Sequence, residues 1–155
     1  MRAPYQILVF PYFKTAKGQI RYCLFKRKDM GVWQAIAGGG EEGETPMESA
    51  KRETYEEAGI SVKNKFTQLT SIASIPVEDI SGFIWGKDIV VIPEYSFGVG
   101  VATKKIYLER EHTKFEWLTY KKALEKLEWD SNKTALWELN YRLENNRLRN
   151  IKHLI

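Results

Sequence analysis

The sequence predicts an α/β domain, a mixed β-sheet flanked by helices, and three observations carry that prediction. Alternating apolar segments recur through the first and middle parts of the chain, one strongly capped helix interrupts them, and an amphipathic segment follows near the end. All 155 residues read as a single domain, 1–155, with no internal repeat, low-complexity tract or linker. Aromatic residues at 13% exclude a largely disordered chain. The lone cysteine, Cys23, excludes an internal disulfide and a multi-thiolate metal site. No apolar run approaches the roughly 18 residues that a membrane helix requires, and Met1 to Phe13 reads as a strand rather than an export signal. A cytoplasmic chain with no membrane partner is therefore expected. A formal charge of +4 mildly favours anionic ligands such as phosphates without selecting among them.

In chain order, Gln6 to Phe10 and Ile20 to Arg27 read as two strands of a hairpin, separated by the polar stretch Thr15-Ala16-Lys17-Gly18. Val32 to Ala37 is a third apolar run, and Gly38-Gly39-Gly40 after it reads as the start of a loop. Thr45-Pro46-Met47-Glu48 joins an N-cap hydroxyl, a proline at the first helical position and an acid three residues past the cap, which is a capping box. Gly59 supplies the stop, so a helix is predicted over Pro46 to Ala58 with Met47, Ala50, Thr54 and Ala58 on its apolar face. Further strands are expected around Val62 to Ile75, Asp88 to Ile92, Tyr95 to Thr103 and Phe115 to Leu118, broken by Pro76, Gly82, Gly86 and Pro93. Asp130-Ser131-Asn132 reads as a cap cluster opening a second long helix through Ala135, Leu136, Leu139, Tyr141 and Leu143.

Glu53, Glu56 and Glu57 stand at i, i+3 and i+4 of the first helix, so their carboxylates project within about 100° of one another. They crowd the negative end of the helix dipole, where acids are disfavoured, and something cationic should compensate. Arg52 is one candidate, but one guanidinium does not fill an edge shared by three carboxylates, and hard divalent cations prefer such oxygens. Mg²⁺ usually takes only one or two carboxylates and completes its shell with water and phosphate oxygens. The constellation therefore reads as a platform for polyphosphates and for metal-assisted attack of water on a phosphoanhydride. A merely solvated acidic helix surface is the alternative for the short stretch taken alone.

Taken whole, Gly38-x5-Glu44-x7-Arg52-Glu53-Thr54-x-Glu56-Glu57-x-Gly59-Ile60 resembles the Nudix box, the loop, helix and loop shared by hydrolases of nucleoside diphosphates linked to another group. Every charged and glycine position of that pattern is filled. Thr54 departs from it, since the family usually has an aliphatic residue there, and its hydroxyl needs a partner. The order of strands, loop and helix also resembles a complete Nudix domain, which implies the α/β/α sandwich of that family. The resemblance implies that Glu53, Glu56 and Glu57 bind Mg²⁺, with Mn²⁺ as a substitute, that the Gly38 carbonyl is a further ligand, and that Arg52 orients the acids. Glu44 takes a secondary metal role or a structural one at the helix start.

Outside the box, Glu111-His112-x4-Trp117-Leu118 resembles a loop that in several Nudix hydrolases brings another carboxylate to the metals, so Glu111 joins the catalytic and metal set. Glu53 and Glu111 both stand as candidate bases, with an ordinary loop charge as the other reading of Glu111. His112 reads as structural. Arg27, and more weakly Lys26, sits where the family often places a phosphate-contacting cation; a solvated strand end is the alternative. Trp33 is either a substrate-stacking wall or core, Trp85 has the same two readings, and Pro76 to Pro93 is long enough to shape a ring pocket.

Val32 to Gly38, Glu111-His112 through Trp117-Leu118, and Trp129 together resemble the subgroup hydrolysing dihydroneopterin triphosphate or dATP to a monophosphate and pyrophosphate. The rivals are a hydrolase of dinucleoside polyphosphates such as diadenosine tetraphosphate, an enzyme for a sugar nucleotide or an oxidised nucleotide, and a non-catalytic nucleotide-sensing module. The intact acids favour catalysis over sensing. RNA binding, suggested by the basic tail from Arg147 to Lys152, ranks last, and oligomeric state is left open.

Overall fold

The first strand is the axis of the sheet because it pairs with three others. In chain order the strands are β1 (Arg2–Lys14), β2 (Ile20–Arg27), β3 (Trp33–Gln34), β4 (Ile36–Glu41), β5 (Lys65–Pro76), β6 (Val91–Gly100) and β7 (His112–Leu118). The computed structural model describes residues 1–109 and 112–148. Within them β2 returns antiparallel to β1 through the predicted turn, with Tyr12 opposite Tyr22 and Gly18 at a φ of 80°. β4 runs antiparallel to the first half of β1, with Leu8 opposite Ala37, and β6 lies parallel on its other side, with Val9 beside Phe97. β5 pairs antiparallel with β6, while β3 and β7 both pair with β2.

Alternation along β1 divides the core into two halves. Ile7 and Val9, with Phe25, Ile36, Phe97 and Val99, pack against Ala50 and Ala58 of helix α1 (Pro46–Ala58). Leu8 and Phe10, with Tyr22, Leu24 and Leu69, pack against Ala123 of α2 (Tyr120–Lys126) and Ala135, Leu136 and Leu139 of α3 (Asp130–Glu144). The result is the expected α/β/α layering of a mixed sheet. Among the described residues no helix is long and apolar enough to cross a membrane.

Helix α1 matches its sequence prediction at both ends. The Thr45 hydroxyl accepts the Glu48 N–H, the Glu48 carboxylate accepts the Thr45 N–H, and Gly59 closes the helix in the left-handed region at a φ of 68°. Thr54 is fully buried, and its hydroxyl oxygen has no hydrogen-bond partner among the described residues, the local cost of its departure from an aliphatic residue.

Four features differ from the sequence expectation. Gly38-Gly39-Gly40 is not the start of a loop but the middle of β4. A Cβ on these glycines would collide with Glu53, Arg2 and Tyr5 respectively, so bare backbone lets three side chains lie on the strand. Pro93 does not break β6, because pairing with β1 begins only at Glu94 and β6 is single-paired where the proline lacks its N–H. The Asp130-Ser131-Asn132 cluster does not cap α3: Trp129 holds the cap position without a side-chain bond, and Asn132 Oδ1 instead accepts the Ala35 N–H across the layer. Helix α2, capped by Thr119, is an additional short helix whose seven residues are too few to show a clear 3.6-residue period.

Candidate active site

The acidic residues of α1 do not form one exposed stripe. Glu56 is open to solvent, with 55% of its side chain accessible, whereas Glu53 is largely covered and Glu57 is buried. The segment after β6 returns along the end of this helix: the Tyr107 N–H bonds to the Ala58 carbonyl, the Glu109 N–H bonds to the Glu57 carbonyl, and the Tyr107 ring lies over Gly59. Glu53, Tyr55, Glu56, Glu57, Gly59, Tyr107 and Glu109 line one open cleft. Glu109 is thus a fourth acid of the site, carried from far along the chain. Nothing in its local sequence separates it from an ordinary loop charge.

Arg52 lies among these acids with every arm of its guanidinium used. Nε and Nη2 donate to Glu44 at 2.8 and 3.0 Å, Nη1 donates to Glu53 at 2.9 Å and Glu56 at 3.3 Å, and Nη2 also reaches the Gly39 carbonyl at 3.0 Å. This planar fork matches several carboxylates at once, which a lysine cannot do. The Arg52 guanidinium hydrogen bonds, with that of the Ser49 hydroxyl and the Glu41 N–H, hold the Glu44 carboxyl down at about 2. Both Glu44 oxygens are therefore spent on Arg52, Ser49 and the chain. Its role is to fix the arginine, and of its two predicted roles the structural one fits these bonds.

The glycine strand completes the arrangement. Because Gly38 lacks a Cβ, the Glu53 carboxyl lies directly against the β4 backbone. Arg52 ties the helix to the next residue, Gly39. The donors that converge here are hard oxygens, the set that suits a divalent cation such as magnesium. Among the described residues the acids do not close into a ready-made cage of three or more ligands. An open platform fits a cation that takes only one or two carboxylates and fills its shell with water and phosphate oxygens.

The remaining candidates fall elsewhere. Glu111 lies outside the described residues, as do Arg149 and Lys152 of the basic tail. Arg27 makes a two-pronged pair with Asp29 at 2.9 and 2.6 Å beyond the end of β2, and it is not among the residues lining the acidic cleft. Trp33 packs against the α2–α3 half of the core, bridges to Leu127, and carries the Lys126 ammonium 4.2 Å above its ring, an arrangement of the core reading. His112 is buried with its ring 5.4 Å from that of Phe25. Trp85, in the predicted insertion, donates to the Arg2 carbonyl at 2.9 Å and lies under the Arg2 guanidinium, which pins the insertion to the start of β1.

Comparison with known proteins agrees with this geometry. Residues 10–137 match the family model described as the NUDIX domain. A crystal structure from Listeria monocytogenes, provisionally named a NUDIX hydrolase, superposes with a TM-score of 0.85 at 42% identity, covering 94% of this chain and 98% of that one. The E. coli dihydroneopterin triphosphate pyrophosphohydrolase superposes with a TM-score of 0.72 at 25% identity, covering 90% and 97%. A dihydroneopterin triphosphate diphosphatase of Haemophilus influenzae is 29% identical over 133 residues, or 84% of this chain and 83% of that protein. With its acidic helix complete and the fold of a phosphoanhydride hydrolase, the chain belongs to the NUDIX domain family.

Proposed function

We propose that the protein is a magnesium-dependent pyrophosphohydrolase that cleaves a nucleoside or pterin triphosphate, of the dihydroneopterin triphosphate or dATP kind, to a monophosphate and pyrophosphate. The observation that carries this reading is the cleft in which Glu53, Glu56, Glu57 and Glu109 converge beside the glycine strand, with Arg52 fixing two of the acids. The names of the E. coli and Haemophilus relatives support the choice of substrate.

Glu53, Glu56 and Glu57, with the Gly38 carbonyl and Glu111, are the residues that would hold the metal. When bound, magnesium neutralises charge on the bridging phosphate oxygens and eases deprotonation of water, and manganese can replace it. Arg52 keeps the Glu53 carboxyl against β4 and the Glu56 carboxyl turned toward it, so the acids need little rearrangement as substrate arrives. A carboxylate, Glu53 or Glu111, accepts a proton from the attacking water. The water oxygen then bonds to phosphorus while the bridging bond between the α- and β-phosphates breaks. One triphosphate and one water give one monophosphate, one pyrophosphate and the released proton.

The test is pyrophosphate release from a panel of triphosphates with and without Mg²⁺, in the wild type and in Glu56→Gln. Glu56 is exposed, so the variant should fold normally. A rate loss of more than about 100-fold is expected, because even outer partners of metal ligands are worth about 10–100-fold. Near-wild-type Mg²⁺-dependent rates in Glu56→Gln would remove that acid from the metal set. Release of ATP from diadenosine tetraphosphate, with no pyrophosphate from any triphosphate, would redirect the substrate class.

A further inference from the structure

Glu94 on β6 is a deeply placed acid that the cleft on α1 does not use. It is 9% exposed, and one of its carboxylate oxygens has no hydrogen-bond partner among the described residues. Burial pushes its pKa up, and a hydrogen bond from the Ser131 hydroxyl opposes that rise. A buried acid in this condition is costly unless something donates to it.

The sheet register says what surrounds it. Gly39 is paired with Gln6, Gln6 with Glu94, and Glu94 with Ala73, so these four positions form one row across four strands. Paired residues face the same side of a sheet, and this row faces α3, as do Leu8 and Ala37 one step along. Gly39, Gln6 and Ala73 in the row, and Ser131 at the start of α3, are all partly exposed, while Glu94 between them is buried. At the other end of the row the Arg2 guanidinium lies over Gly39, held from behind by Trp85. Two strand spacings, about 10 Å, separate Gly39 from Glu94. The strand that carries Gly39 is the one whose backbone meets Glu53 and Arg52. The row lies on the sheet face opposite α1, so the phosphates of a ring resting on it would have to pass the free edge of β4 to meet the acidic cleft.

The chemistry of the row selects among rings. A carboxylate accepts hydrogen bonds best from two adjacent N–H groups. A 2-amino-4-oxopyrimidine, the ring edge shared by pterins and guanine, offers a ring N–H beside an exocyclic amine. Adenine sets a donor beside an acceptor, and uracil sets one N–H between two carbonyls. We propose that Glu94 is the specificity-determining residue of this site, accepting the paired N–H donors of a 2-amino-4-oxopyrimidine ring while Gln6 beside it meets the neighbouring ring oxygen. The proposal rests on the triphosphate-hydrolase reading and narrows it to one ring class.

The experiment compares kcat/KM for GTP with that for ATP by pyrophosphate release in the wild type, Glu94→Gln, Glu94→Asp and Gln6→Leu, with thermal melting of each. Metal-free binding of neopterin and of adenosine is measured alongside by neopterin fluorescence and calorimetry. The wild type is expected to favour GTP, and the GTP-to-ATP ratio to fall about 10–100-fold in Glu94→Gln, the worth of one good two-point base contact. Gln6→Leu should lower the same ratio, and Glu94→Asp should restore part of it. A wild type that favours ATP overturns the assignment, as does an unchanged ratio in a folded Glu94→Gln. If Glu94→Gln does not fold, an unchanged ratio in Gln6→Leu overturns it equally. Absence of any triphosphate turnover, with neopterin binding that weakens in Glu94→Gln, would overturn the hydrolase reading and leave the ring assignment standing. Neopterin binding that is absent, or indifferent to both positions, would end the ring assignment itself.

Discussion

At the scale of single residues, Arg52 decides more of the site than any acid it touches. Its guanidinium spans Glu44, Glu53, Glu56 and the Gly39 carbonyl, so the helix face and the glycine strand are held by one planar group. Arg52→Lys keeps the charge and loses the fork. We expect kcat/KM to fall about 10–100-fold, with a higher Mg²⁺ requirement in a metal titration, the usual effect of removing a partner that orients metal ligands. An unchanged Mg²⁺ titration would mean that Arg52 serves stability alone. Glu44 gives a pH signature of the same web. Its carboxyl is held at about 2 against an ordinary 4.5, chiefly by Arg52, so its contribution to stability is complete above about 4.5 and is lost as pH falls through about 2. Denaturation midpoints of the wild type should decline across that window, and Glu44→Gln should flatten the decline while lowering the plateau above it. The box spacing exposed Arg52 and Glu44 in the sequence, but not the division of labour between them, because hydrogen-bond partners depend on how β4 lies against α1.

At the scale of elements, α1 is specified locally, whereas α3 is held by contacts made far along the chain. The cap of α1 sits within four residues of sequence, Thr45 to Glu48, and both its hydrogen bonds form as predicted. Helix α3 has no side-chain cap; its anchor is Glu138, which accepts the N–H and hydroxyl groups of Thr70 and Ser71 on β5 and also pairs with Arg142 at 2.7 Å. These bonds fall where the β5 register shifts between Gln68 and Ile72, so the carboxylate replaces sheet partners there. Burial alone would raise the Glu138 pKa, and the bonds from Ser71, Thr70 and Arg142 outweigh it and hold it below the usual range. Glu138→Ala strands a nearly buried arginine and two backbone donors, and should cost about 3 kcal/mol in urea denaturation. A loss under about 1 kcal/mol would show that the edge strand docks without this clamp. From the sequence Glu138 reads only as a polar position of an amphipathic helix, since Thr70 and Ser71, which it clamps, lie on β5, far earlier in the chain.

For the molecule as a whole, the two halves of the core share one sheet, with Ile7 and Val9 facing α1 and Leu8 and Phe10 facing α2 and α3. Unfolding should therefore be a single transition. Leu139→Ala, which empties the contact of α3 against Gly98, should cost about 2–5 kcal/mol and shift far-UV dichroism, tryptophan fluorescence and calorimetry together. Separate midpoints for these probes would contradict the shared core. The acidic helix, its start and stop, the hairpin and the family were all present in the sequence, because capping, turn chemistry and the 3.6-residue period act between residues a few places apart. Only the tertiary structure brought Glu109 into the cleft lined by Glu53, spent both oxygens of Glu44 on Arg52, turned three glycines into a strand, and set Glu94 in line with Gly39. Those placements depend on the register of β1 with β4 and β6, and on the path of the chain back across α1. Such long-range pairing is fixed by the packed core and leaves no mark at fixed spacing along the chain.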